Sequence, residues 1–186
     1  MSVPAPPPAA YLAIIRVIDK FTAVTGLLFA AVVVPLIAAN TYEVVSRYMF
    51  NQPTEWAMDV TTQSFGALFM LGAPYALLKG AHVRTDMLWE KFSDRKKGTI
   101  DAIAFIFLFM PTMVVLTYIS VDDFFYSMSI NERSNTTSWM PIIWPLRAVI
   151  PLSCVLMFIQ GISEIMKSLH AARTGVFLVH HEKIEI

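Results

Sequence analysis

Charge is scarce in this chain, and so are the residues that build catalytic centres. Only 15% of its 186 residues are charged, against about a quarter in soluble domains, which is too few to cover a water-facing globule. There is one cysteine, Cys154. It sits in an apolar run, cannot form an intrachain disulfide, and reads as a buried, inert thiol. The four histidines, His82, His170, His180 and His181, fall in expected loops or in the tail. No two of them can face each other inside a helical bundle, as bis-histidine haem requires. No Gly-rich phosphate loop, CxxC, HExxH or basic block suited to nucleic acid is present. No nucleophile–base pair can be argued either. The chain therefore reads as a non-enzyme, with no cofactor, no metal and no nucleic-acid partner.

What the chain has instead is apolar length: 56% of it is hydrophobic. The clearest stretch runs from Asn51 to Asp86. It opens on a polar turn anchored by Trp56, continues as the uncharged run Val60–Leu78, and leaves through Lys79, Gly80 and the polar His82–Asp86. The 19 residues of that run would cover roughly 28 Å as a helix, close to the roughly 30 Å hydrocarbon core of a bilayer. Three other runs resemble it. The expected fold class is all-α integral membrane, with four transmembrane helices over 21–42, 57–78, 100–121 and 142–166 in a membrane domain spanning 21–166. Each carries proline (Pro35, Pro74, Pro111, Pro145 and Pro151), which membrane helices tolerate and which often kinks them. The first run is too long for the apolar part of a signal peptide and has no small residue two places before its Ala38-Ala39 end, so it reads as an uncleaved crossing.

The flanks complete the organisation. Residues 1–8 form a Pro-rich leader expected to be disordered or extended. Tyr11, Ile14, Ile15 and Ile18 then make an apolar stripe opposite Arg16, Asp19 and Lys20. Up to residue 20 this piece is either a helix lying among lipid headgroups or an early start of the first crossing. A second interfacial helix is expected at about 83–92, with Trp89 and Phe92 as anchors, and Ser93-Asp94 resemble the N-cap and first residue of the helix that follows. Residues 167–186 form a tail. The leader, the loop between the second and third crossings, and the tail carry eleven of the fourteen Lys and Arg residues; the others are Arg47, Arg133 and Arg147. Both termini are accordingly expected to be cytoplasmic, with Trp56, Trp139 and Trp144 at the outer boundary and Trp89 at the inner one, in contact with membrane lipids.

Among the charged residues near the helix ends, Glu43 and Arg47 are four apart and placed to pair. Asp59, Gln63, Gly66 and Ala73 share one helical face, polar at one end and small at the other, which suits tight packing on another helix. Asp59 is expected either to pair with Arg147 at the outer boundary or, like Arg147, to be solvated. The third crossing, and the centres of the first two, hold no ionisable group of the kind that moves ions through lipid. No internal repeat is evident, which disfavours a complete transporter built from inverted halves. These features describe a scaffold, and a scaffold needs a partner.

The combination of motifs resembles a known family. Arg47…Pro53-x-x-Trp56-x-x-Asp59, a small-residue crossing and His82-Val83-x-x-Asp86 (enclosing Arg84), followed by Glu132-x-Ser134, Trp139-x-Pro141 and Ile150-Pro151-Leu152, look like the small membrane subunit (DctQ type) of tripartite ATP-independent periplasmic (TRAP) transporters. The resemblance covers about residues 15–170. It departs where a single Asp59 follows Ala57-Met58 instead of tandem acidic residues, and where Thr85 stands in place of an apolar residue. The resemblance implies a bacterial inner-membrane secondary transporter in which a periplasmic substrate-binding protein delivers a carboxylate or related solute. A large multi-helix TRAP membrane subunit, driven by a sodium gradient, would move it as an elevator, and this chain would be its static support. Glu43, Arg47, Trp56, Asp59, His82, Arg84, Asp86, Glu132, Trp139, Trp144 and Arg147 are then candidate interface or structural residues, with docking near Trp56 and Glu132–Trp139. The alternatives are a small homo-oligomeric exporter and a membrane anchor of a respiratory enzyme.

Overall fold

The structure, a computed structural model, describes residues 7–80, 92–176 and 178. His82, Arg84, Asp86 and all but the last residue of the expected interfacial helix at 83–92 lie outside the described residues. So do residues 1–6 of the leader and His180 and His181 of the tail. The described chain is helical: α1 (Ala9–Ala30), α2 (Val33–Met49), α3 (Ala57–Leu78), α4 (Asp94–Ala104), a π-helical turn (Phe105–Phe109), α5 (Met110–Ser129) and α6 (Trp144–Thr174). Among the described residues, β-pairing is limited to one isolated antiparallel bridge between Arg133 and Ile142.

Among the described residues, three stretches are long and apolar enough to cross a membrane: Ala9–Met49, Asp94–Ser129 and Trp144–Thr174. The 22-residue α3 has the length, about 33 Å, but Thr61, Thr62, Gln63 and Ser64 dilute its first turns. Helix α6 runs past residue 166 to Thr174. The amphipathic piece at 11–20 lies in one continuous helix, α1, with the residues that follow up to Ala30. Helix α4 begins at Asp94, as its capping pattern suggests, with Ser93 extended, but the Ser93 hydroxyl makes no capping bond. Its carbonyl instead accepts from Lys97 N (3.0 Å).

Proline sets the irregularities. A proline ring meets the carbonyl four residues back and supplies no N–H to it. For Pro35 that carbonyl belongs to Ala31, and the helix breaks there: Ala31 and Val32 form a turn with i→i−3 bonds to Leu28 and Phe29 (3.2 and 3.0 Å). One turn before Pro111 the helix widens instead, with Met110 N–H donating to Phe105 O in the i→i−5 manner. That widened turn presents the Phe109 ring to Gly161 of α6. A Cβ at position 161 would lie 2.7 Å from the ring, so any larger residue there would require the ring to shift.

Pro74, fully buried, frees the carbonyl of Met70, and the Ser153 hydroxyl of α6 donates to it at 2.5 Å. Proline and serine thus make a side-chain substitute for a missing helix bond. Ser153→Ala should leave that carbonyl bare at a cost of about 1 kcal/mol, read as a fall in the thermal unfolding midpoint of a few degrees. An unchanged midpoint would mean that another donor reaches Met70.

The described residues fall into two compact units. The first draws on the described residues within 1–24, 74–114 and 155–186, the second on 25–73 and 115–154. Helix α6 contributes residues to both units. Half of its most apolar 18-residue window is buried, against 6% of the corresponding window in each of the other two membrane-capable stretches. In the first unit α4 lies so close on α6 that a Cβ on Gly98 would fall 2.6 Å from the Ala172 nitrogen. Arg95 reaches across to the carbonyls of Ala172 (3.1 Å) and Arg173 (2.7 Å), satisfying groups a helix C-terminus leaves open. The helix then stops at Gly175, whose φ of +74° and bond from N–H to Ala171 O (2.8 Å) make a left-handed cap.

Candidate functional site

In the second unit the polar groups sit at the helix ends and in the loop from Glu132 to Ile143. That loop is cross-tied. Ser134 N donates to Pro141 O (2.8 Å), Ile143 N to Glu132 O (3.0 Å), and Arg133 Nη1 to Met140 O (3.1 Å). Met140 adopts a left-handed φ of 45° to close it. Asp59, in the first turn of α3 and only 2% exposed, holds the loop from beneath. It accepts from the Ser134 hydroxyl at 2.7 Å and from the Thr137 hydroxyl. Two turns further along the same face, Gly66 lies against Leu146 of α6, where a Cβ would make ordinary contact at 3.5 Å.

The expected pairing of Asp59 with Arg147 is therefore corrected. Arg147 donates through Nη1 to Asp123 (2.5 Å) and through Nη2 to Glu132 (2.7 Å), tying α6 to α5 and to the loop. Two hydroxyls satisfy Asp59, and two carboxylates take up the guanidinium, so neither charge needs the other. Spacing on α3 and α6 alone could not reveal this, because every partner lies on α5 or in the loop. The Ser127 side chain and the Arg147 guanidinium hold the Glu132 carboxyl below its ordinary range, against desolvation and repulsion from Asp123. A carboxylate with a lowered folded pKa contributes stability above its unfolded pKa and loses it as pH falls through the folded one. The midpoint gap between the wild-type chain and Glu132→Gln should accordingly close as pH drops below the ordinary glutamate range. A gap constant down to that pH would rule the clamp out as its source.

A second tie closes the connection between α2 and α3. Arg47 donates to Glu43 through Nε at 2.8 Å and also through Nη2. The other Glu43 oxygen accepts from the Thr54 amide (2.9 Å) and hydroxyl. Trp56 packs on Tyr42 with ring centroids 5.5 Å apart, and Trp144 on Phe124 at 6.4 Å. Trp139, by contrast, stands 49% exposed at the loop tip.

The first unit holds a cluster that the sequence reading did not assemble. Lys167 Nζ lies 2.8 Å from both Asp19 Oδ2 and Glu164 Oε1. Ser163 Oγ donates to Asp19 Oδ1 at 2.7 Å, and Gln160 Nε2 donates to Asp19 and Glu164 at 3.2 Å each. Gln160, Ser163, Glu164 and Lys167 are all at most 5% exposed. The cluster fastens α1 to α6. Its local signal was the Gln160, Ser163, Glu164 and Lys167 spacing, which places four polar groups on one face of an otherwise apolar helix; nothing local identified Asp19 as their partner.

Among the described residues no group of three or more His, Cys, Asp or Glu side chains is arranged to hold a metal ion. The polar groups instead bond one another, most of them across elements. The family model described as tripartite ATP-independent periplasmic transporters, DctQ component, matches residues 36–171. Comparison with curated proteins and with solved structures gives no match. The matched span takes in α3 through most of α6, with the Asp59 and Arg147 ties inside it, and the chain belongs to the DctQ family, the small membrane component of TRAP transporters.

Proposed function

We propose that this chain is the static support of a sodium-driven importer that takes an organic acid or related solute from a periplasmic binding protein and moves it in a larger elevator-type subunit. Helix α3 is the remaining crossing, making four, and both termini are cytoplasmic, following the eleven-to-three division of Lys and Arg. The observation that carries the reading is how the chain uses its charges. Asp19, Asp59, Lys167 and Arg147 are each bonded to a different element. Such charges fix helices against one another and leave little free to carry cargo. A moving neighbour needs that fixity, because a support that yields cannot define the neighbour's path.

The test is affinity purification of a tagged chain from its native membrane in mild detergent, with mass spectrometry of what accompanies it. A stoichiometric, much larger polytopic partner, able to drive sodium-dependent uptake once its binding protein is added, is the expected result. A chain recovered alone or only with copies of itself would favour the exporter alternative. Docking is best probed at Trp139, since Glu132 is engaged by Arg147 and its reversal would disturb the fold as well. Trp139→Ala should weaken binding-protein-dependent uptake while leaving the amount of assembled complex unchanged. Orientation follows from labelling Ser138→Cys and Lys96→Cys, each in a Cys154→Ala background, with an impermeant maleimide on intact cells whose outer membrane has been permeabilised. Only Ser138→Cys should react.

A further inference from the structure

We infer that the groove beside α1 in the first unit binds the phosphate of an anionic phospholipid. Arg16 and Lys20 stand one helical turn apart, both exposed. They line a groove of about 440 Å³ whose apolar wall is made by Leu12, Ile15, Ala23 and Leu78. The one carboxylate in that lining, Asp19, is already taken. Lys167 lies 2.8 Å from its Oδ2, and Ser163 and Gln160 donate to its Oδ1. Among the described residues neither Arg16 nor Lys20 has an ion-pair partner. Like charges four apart on a helix repel, and an anion seated between them removes that repulsion and gains two charge-assisted bonds.

The wall decides what kind of anion fits. A free phosphate has no use for leucine and isoleucine at its side, whereas a phospholipid lays its glycerol and upper acyl carbons there. The same helix carries Ile14, Val17, Phe21 and Val24, all at least 47% exposed, and it begins a stretch apolar enough to cross a bilayer. Acyl chains and phosphate would thus meet their own kinds of surface on one helix. A rule of orientation asks only for cations near a helix end; it does not ask for a groove with an apolar wall between them.

Native mass spectrometry of the detergent-solubilised full chain, titrated with phosphatidylglycerol or phosphatidylcholine of identical acyl chains, tests the assignment. Wild type should retain phosphatidylglycerol preferentially. Each cation removed should weaken that retention about five-fold, so that R16Q/K20Q loses on the order of 25-fold. K96Q, an exposed cation on α4, should lose nothing, and the charge-preserving R16K/K20R should keep the preference, which guards against a loss caused by misfolding. Equal retention of the two lipids, or retention unchanged in R16Q/K20Q, would overturn the proposal. So would displacement by glycerol phosphate at the affinity of the lipid, which would make this a site for a soluble anion. The inference is independent of the transport role, since a chain purified without any partner would still show the preference.

Discussion

Replacing Lys167 with methionine should lower the unfolding midpoint of the detergent-purified chain by on the order of 10 °C and reduce the yield of monodisperse protein. The ammonium lies 2.8 Å from carboxylate oxygens of both Asp19 and Glu164, and Lys167 is 5% exposed. Methionine fills much the same volume but leaves two carboxylates in a buried site with only Gln160 and Ser163 as donors. Breaking a buried pair by removing one partner costs about 3–5 kcal/mol, because the orphaned charge keeps its desolvation penalty. At about 2–4 °C per kcal/mol for a chain of this size, that gives the stated fall. The double variant Lys167→Met with Asp19→Asn removes one of the two stranded charges and should recover part of the loss, a coupling that a double-mutant cycle measures directly. A single variant as stable as the wild type, or a double variant with no recovery, would show that the cluster does not hold α1 to α6.

That cluster also marks where sequence reading stopped. The membrane class and the helical runs were legible because their signal is local: uncharged length and flanking charge survive without any tertiary knowledge. The family was legible for a similar reason, as its motifs sit at fixed spacing around Trp56, Asp59 and Trp139. Lys167 and Asp19 were visible only as members of two flanks, one read as a tail and the other as an amphipathic arm. Nothing in either flank says that residues 148 positions apart share an ion pair. Asp59 stands on a face whose spacing points to another helix, yet its partners are two hydroxyls in a loop with no periodic pattern.

Asp59→Ala should release the Glu132–Ile143 loop while sparing most of the helical packing beneath it. Two bonds to a buried carboxylate are lost, from Ser134 at 2.7 Å and from Thr137, and bonds to charged groups contribute about 1.5–3 kcal/mol each. The N-terminal turn of α3 also loses a negative charge at the end where the helix dipole favours one. A local cost of about 3 kcal/mol corresponds to roughly a hundred-fold rise in the open population of the loop. Hydrogen exchange at the Ser134 and Ile143 amides, which close the loop onto Pro141 and Glu132, should accelerate by that order. Amides in the buried half of α6 should change far less, since the Gly66–Leu146 contact and the Arg147 clamp remain. Asp59→Asn keeps one acceptor oxygen without the charge and should fall between the two. If the loop orients Trp139 for the binding protein, uptake should follow the same ranking, wild type above Asn above Ala, at equal amounts of assembled complex. Unchanged exchange at Ser134 would mean that the backbone ties alone hold the loop, and Asp59 would then serve only to seat α3.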